Sequence, residues 1–377
     1  MKTRLYFLDN LRTFLIFIVI LLHAGIVYEP ILLDTWIVSD PIKAGSIGLI
    51  RMYLDVFVMF TLFFISGYFI PESLNNNTDL DYIKSKFKRI LIPWIVAVLT
   101  VIPIYKVIYL YSRGLPQEEW YSYFHFFQRI GSDLSIFSND LNQSWLWFLP
   151  VLFLFQIIFF IFSKTKLSTI NISLKTGVLL TLFIGVIYSM FISLLGFKGW
   201  TLSLLLDFQN ERLLVYFLVF ILGALCYKHN VFDANKRSKK YLIIFNILLM
   251  LGLGIYTIIA LNLFFNMIDP ARNYFFISEN IDRTIYYTSQ LISMLSFIYI
   301  FVDLFKFNIN KSGRLWTALN KNSYYVYIIH IIVMGIIALP LVNLAIPVYL
   351  KYLILTILTF IVSNILVSVS RRVFQRI

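Results

Sequence analysis

Residues 12–28 read RTFLIFIVILLHAGIVY, with a single guanidinium at the start and a single imidazole two thirds of the way along. Between Arg12 and His23 lie Thr13 and nine consecutive apolar residues, Phe14 to Leu22. Such a run is read as a membrane-spanning helix, since a hydrocarbon core of about 30 Å takes about 20 helical residues. Eleven residues apart, the two side chains fall within about 20° of each other around the helix axis, with the imidazole roughly 16 Å further along. The arginine stays at the membrane edge and the histidine lies at depth. An ionisable group held there is expensive, which marks the pair as a functional site.

The rest of the chain repeats the theme. Its 377 residues are 60% hydrophobic and only 14% charged, where a soluble domain carries about a quarter. Apolar runs predict ten spans, at 12–28, 48–70, 90–110, 146–163, 176–195, 213–228, 241–264, 284–305, 323–342 and 348–369. The expected fold is therefore an all-α polytopic membrane protein with one transmembrane domain over 1–377. The basic start, Lys2, Arg4 and Arg12, resembles a signal peptide, but no small-x-small cleavage site follows it, so it reads as an uncleaved first helix. The single cysteine, Cys226, falls in a span and excludes an intrachain disulfide. No Cys/His spacing suits zinc.

Charge sets the orientation. The two ends and the connections after the even-numbered spans hold 22 of the 32 Lys and Arg residues, against 6 of the 19 acidic ones. The bias recurs at every loop and predicts that both termini are cytoplasmic. It also assigns the net charge of +13 to the inner membrane surface and not to nucleic acid. The longest outer connection, 111–145, combines Trp120, Tyr121, Tyr123, Phe124, Phe126 and Phe127 with Glu118, Glu119, His125 and Arg129. This mix predicts an interfacial helix, either an aromatic anchor or a lid over an acceptor.

Four further constellations carry chemical potential. Asp9 lies three residues before Arg12 and can pair with it at the inner mouth. Asp55, in the second span, comes to a depth similar to that of His23, where a carboxylate would orient the imidazole; it equally reads as the partner of Arg51 at i,i+4. Ser323, Tyr327 and His330 share one face of the ninth span, with His330 roughly 13 Å into the membrane and so near the level of His23. Lys84, Lys86, Lys88 and Arg89 precede Pro93 at a cytoplasmic helix start, a pattern that suits phosphate binding and equally suits ordinary inner-surface charge. Trp145 and Trp147, at the outer start of span four, read as part of an aromatic belt. Ser66-Gly67 reads as a close helix contact.

Taken together, these segments resemble the acyltransferase 3 family of integral membrane acyltransferases. Leu8-Asp9-Asn10-Leu11-Arg12 followed by ten residues and His23 is similar to its Arg-x10-His start. Phe63 to Phe69 resembles its FF-x-SG-F segment, Lys86 to Pro93 its basic stretch before a proline, and Ser323, Tyr327 and His330 its S-x3-Y-x2-H helix. The order along the chain and the ten-helix count agree as well. Asp9 to Thr13 and Trp147-Phe148-Leu149 look closest to the branch that includes glucan succinyltransferases. The Trp-Ser-Leu-x-x-Glu segment of the peptidoglycan and O-antigen acetyltransferases is absent, and span four holds no acidic residue.

The resemblance implies transfer of an acetyl or succinyl group from a cytoplasmic acyl-CoA to a hydroxyl of an extracytoplasmic glycan or cell-envelope carbohydrate. Acyl-CoA would be a co-substrate, with no resident cofactor or metal, and the setting would be a prokaryotic cytoplasmic membrane. Arg12, with help from Lys86 and Arg89, would hold the donor's phosphates, and Asp9 and Trp147 would be further substrate-binding residues. His23 would act as general base or transient acyl carrier, Asp55 or His330 would orient it, and Tyr327 would donate to the oxyanion. The other class that uses buried His, Asp and Arg is a transporter or exporter of a glycan or small anionic solute. Such proteins pair Gly/Pro-broken helices in two related halves; here Pro103 alone interrupts span three, and no internal repeat is found.

Overall fold

The computed structural model describes residues 4–30, 36–124, 143–165, 171–203, 205–233, 236–269 and 271–374. Ten helical stretches among them are long and apolar enough to cross a membrane, and they match the ten expected from sequence. The helices are α1 (Tyr6–Tyr28), α2 (Gly45–Asp55), α3 (Val58–Tyr68), α4 (Ile70–Asn75), α5 (Asp79–Lys86), α6 (Ile92–Ser112) and α7 (Phe148–Ser163), followed by α8 (Leu174–Leu194), α9 (Leu213–Lys228), α10 (Lys239–Ile268), α11 (Glu279–Asn308), α12 (Arg314–Val342) and α13 (Val348–Phe374). The only strands among the described residues are β1 (Trp200–Thr201) and β2 (Phe208–Gln209), an antiparallel pair between α8 and α9.

The second span is built from three pieces, α2, α3 and α4, and the third from α5, a π-helical turn at Phe87–Leu91 and α6. Pro93, with no N–H to donate, closely follows the π-helical turn within that continuous stretch. Pro103 is carried within α6 without ending it. The expected helix in the outer connection is a single 3-10 turn, Trp120–Tyr123, as far as the described residues reach. His125, Phe126, Phe127 and Arg129 lie outside them.

α1 is the hub. It packs against α2, α3, α11, α12 and α13, and most of its side chains are buried. Its start is tied to α12 by polar contacts: Asn10 donates to the carbonyls of Ile309 and Lys311 at 2.8 and 3.1 Å. Asn320 donates to Asn10 Oδ1 at 2.8 Å, and Thr13 donates to Asn320 Oδ1 at 2.6 Å. Buried amides need such partners, so Asn10 fixes the register of α1 against α12. That register sets where His23 falls relative to His330.

α3 and α9 pack backbone against backbone. A Cβ at Gly67 would strike the carbonyl of Phe220, and one at Gly223 would strike that of Phe64. Ser66-Gly67 is thus the close helix contact expected from its residues, and the Ser66 hydroxyl is spent on the carbonyl of Leu62. α10 lies at the rim, with Ile243, Ile247, Met250, Leu251, Ile255 and Ile258 exposed on one side, as a lipid-facing surface must be.

Candidate active site

His23 and His330 meet. His23 Nδ1 stands 3.0 Å from His330 Nε2, and His330 Nδ1 stands 2.6 Å from the carbonyl oxygen of Tyr327, one turn back on α12. The carbonyl only accepts, so His330 Nδ1 carries a proton and donates. In neutral rings, His330 Nε2 is then the acceptor and His23 Nδ1 the donor. That proton order leaves His23 Nε2 with its lone pair. His330 is fully buried, whereas His23 is only half-buried, so the pair has an inner end and an accessible end.

Aromatic rings wall the pair. Trp36, from the loop after α1, stacks on His23 with ring centroids 5.5 Å apart and planes 14° from parallel. Tyr105 of α6 meets Trp36 at 6.3 Å and Trp145 at 5.6 Å, and Trp145 in turn meets His330 edge-on at 6.5 Å. Trp145 donates its N–H to the carbonyl of Ile328 at 3.0 Å. The Tyr327 hydroxyl donates to the carbonyl of Trp145, a commitment that competes with the oxyanion role expected for it. Ser323 is likewise turned to backbone, donating to Asn320 at 3.1 Å.

Asp55 is not brought to His23. Its carboxylate receives Arg212 Nη1 at 2.5 Å, from the turn that opens α9. Arg212 is buried and requires a counter-charge, which Asp55 supplies. The Arg51–Asp55 pair does not form either, because Arg51 reaches back to Glu29 and donates to the carbonyl of Leu22 at 3.1 Å. The imidazole partner of His23 is therefore His330.

At the other end of α1, Asp9 and Arg12 pair at 3.2 Å, and Arg4 joins them at 2.9 Å from Asp9. Arg12 Nε is buried without a hydrogen-bond partner among the described residues. A cavity of about 340 Å³ opens beside them, lined by Arg4, Leu5, Asp9, Tyr68, Phe69, Glu72 and Tyr227. Lys86 lies over the Tyr82 ring at 5.0 Å and Arg89 is exposed on the π-helical turn; no contact joins either to Arg12 among the described residues. Trp147 packs against Trp200, Tyr216 and Phe63 at 5.2, 5.6 and 6.3 Å, so the tryptophan at the histidine pair is Trp145, two residues earlier.

Sequence reading missed Trp36, Tyr105, Arg212 and Lys106. The last is a lysine on α6 whose ammonium is buried without a hydrogen-bond partner; a charged residue in an apolar span was the available signal. No cluster of three potential metal ligands occurs among the described residues.

A ten-span helical protein with two hydrogen-bonded histidines set among aromatic rings has the build of a membrane-embedded enzyme. Residues 5–368 match the family model described as an acyltransferase domain, and the chain belongs to that acyltransferase 3 family. It is a multi-pass membrane acyltransferase. No curated protein and no solved structure matches it.

Proposed function

We propose that the protein moves an acetyl or succinyl group from a cytoplasmic acyl-CoA to a hydroxyl of an extracytoplasmic glycan or cell-envelope carbohydrate, with His23 as general base. The observation that carries this reading is the proton order from Tyr327 through His330 to His23, which presents an unprotonated Nε2 at the accessible end. His23 Nε2 takes the proton of the acceptor hydroxyl as its oxygen bonds to the thioester carbon. The C–S bond then breaks, and Nε2 passes the proton to the leaving thiolate sulfur, which returns His23 to its neutral form. His330 fixes the tautomer of His23 throughout, as the third member of a nucleophile–base–orienter set does.

The donor binds at the opposite end of α1. Arg12 with Arg4 supplies charge-assisted hydrogen bonds to the CoA phosphates, and Lys86 and Arg89 add attraction from the same face. Asp9 holds the two arginines in place. The roughly 16 Å between Arg12 and His23 along the helix is a distance an extended pantetheine arm can bridge. Trp200, exposed and packed edge-on against the buried Trp147, offers an aromatic surface to the acceptor sugar on the outer side. The packed aromatic wall excludes water that would otherwise hydrolyse the thioester.

The test is release of free CoA from acetyl-CoA and succinyl-CoA by protein in lipid nanodiscs, with and without glycan acceptors. Wild type should turn over and bind CoA. His23→Ala should bind CoA but turn over about 100-fold more slowly, or worse, and Arg12→Ala should bind CoA weakly. Folded wild type that binds no CoA would overturn the reading in favour of a transporter.

A further inference from the structure

We infer that the indole N–H of Trp36 is the hydrogen-bond donor to the acyl carbonyl oxygen as it becomes an oxyanion. The inference rests on the acyl-transfer reading above. Acyl transfer needs a base and, beside it, a donor aimed at the oxygen where charge develops. The other polar groups around the imidazole pair each have a partner within the fold. Tyr327 donates to the carbonyl of Trp145, and Trp145 donates to that of Ile328. Arg51 holds Glu29 through Nη1 and the Leu22 carbonyl through Nε, and the Tyr105 oxygen accepts from the N–H of Ile37. Trp36 differs, because its Nε1 is buried and has no hydrogen-bond partner among the described residues. It belongs to the ring stacked on His23 itself.

A buried N–H left unpaired is costly and rare in a native protein, and this one is not an accident of a loose loop. From Trp36 onward, the described residues of the segment are held at several points. Arg113 donates to the Trp36 carbonyl at 2.9 Å, and Ser112 to that of Ile37 at 3.1 Å. Asp40 N–H donates to Val27 and Ala44 N–H to Tyr28, at 3.0 and 2.9 Å, closing the loop onto the end of α1. The Asp40 carboxylate receives Lys351 at 2.8 Å in a fully buried ion pair. A donor held this firmly needs no reorganisation when charge appears, which is what makes such a group effective. In the reaction, the acceptor oxygen bonds to the thioester carbon and its proton goes to His23 Nε2. The carbonyl electron pair moves onto oxygen, which accepts the bond from Trp36 Nε1, and returns as the C–S bond breaks. Trp36 itself gains and loses nothing.

The experiment replaces Trp36 by Phe and, through nonsense suppression, by benzothienylalanine, which keeps the shape of the indole and puts sulfur in place of N–H. Both are compared in nanodiscs with wild type and His23→Ala for CoA affinity, KM and kcat. Both Trp36 variants should turn over more slowly by about 100-fold to 1,000-fold, the usual loss for one oxyanion donor. CoA affinity and KM for acyl-CoA should stay within about twofold of wild type, since the donor acts only on charge that develops in the transition state. The isostere tests the N–H even if Trp36→Phe fails to fold. Wild-type turnover in the isostere beside lost turnover in His23→Ala overturns the role of Trp36 alone. Absence of turnover in wild type overturns the acyl-transfer reading, and this role with it.

Discussion

His330 Nε2 accepts from His23 Nδ1 at 3.0 Å, and the Tyr327 carbonyl at the far side of His330 decides which way every proton in that line points. A backbone carbonyl cannot change protonation state, so the relay has one polarity in its neutral form. The arrangement gives His23 an orienting partner without a carboxylate. It also keeps a negative charge out of a fully buried position, where an unpaired one would be costly.

The first prediction follows from that polarity. His330→Ala removes the group that accepts from His23 Nδ1 and lets His23 adopt either tautomer. Turnover should fall by about 100-fold or more, while CoA affinity, which the proposed function assigns to Arg12 toward the other end of α1, should stay unchanged. Steady-state kinetics beside equilibrium CoA binding checks both halves; a parallel loss of CoA binding would show that His330 acts on the fold instead.

The buried pair Asp40–Lys351 makes the second. Both side chains are fully buried, and Lys351 also donates to the carbonyl of Val342 at 3.0 Å. Lys351→Met leaves the Asp40 carboxylate with only the N–H of Ile42 at 2.8 Å. Breaking a buried pair on one side costs about 3–5 kcal/mol. The double variant Asp40→Asn with Lys351→Met removes the stranded charge and should recover part of the loss. Thermal unfolding midpoints of wild type and the two variants in one detergent read this directly.

Much of this architecture was legible in the sequence because the bilayer leaves few choices. Twenty apolar residues can only be a helix, and ten such runs fixed the span count. Helical spacing put Ser323, Tyr327 and His330 on one face, and depth arithmetic brought His23 and His330 to one level. Spacing does not say which face of one helix meets which face of another. Asp55 therefore went unmatched to Arg212, 157 residues away. Arg51 looked forward four residues when its partner, Glu29, lies on the preceding helix end. Trp36 was invisible for a further reason: it comes from a loop, and a loop has no period from which its return onto His23 could be read. Trp145 and Trp147 look alike in a run of aromatics, and only the turn that opens α7 separates their directions.

Close packing of α3 on α9 gives the third prediction. Gly223→Ala places a methyl group against the backbone of Phe64, and 2.9 Å from Tyr68 N, where no rotamer change makes room. Forced overpacking costs about 1–3 kcal/mol or more, so the unfolding midpoint should drop. Gly254→Ala is the control. Nothing lies within 4 Å of its Cβ position, and the same change in an open helix interior stabilises by about 0.5–1 kcal/mol.

Asp207 supplies a pH dependence. It sits outside the spans, in the outer connection between α8 and α9. Burial pushes its carboxyl up to about 6, although the backbone N–H groups of Ser203 and Gln143 pull the other way. A carboxyl raised above its unfolded value binds more protons in the folded protein between roughly pH 4 and 6. Its contribution to stability is therefore full below about pH 4 and is lost as pH rises through about 6. Asp207→Asn should flatten that part of the stability profile. Unfolding midpoints measured from pH 4 to pH 8 test the slope, and an unchanged slope in the variant would assign it to another group.

The last prediction concerns Lys106. The residue is 3% exposed and its ammonium has no hydrogen-bond partner among the described residues, on an α6 that is otherwise largely apolar. A buried polar group without a partner costs about 1–3 kcal/mol, and Met matches the lysine stem in length without the ammonium. Lys106→Met should accordingly raise the unfolding midpoint, in contrast to Lys351→Met, which strands a carboxylate. The comparison separates two lysines that sequence alone renders equivalent: one completes an ion pair and the other completes nothing within the fold. A fall in the midpoint of Lys106→Met would show that the ammonium is satisfied when the protein sits in lipid. A rise accompanied by lost turnover would instead show that its cost is kept for the reaction.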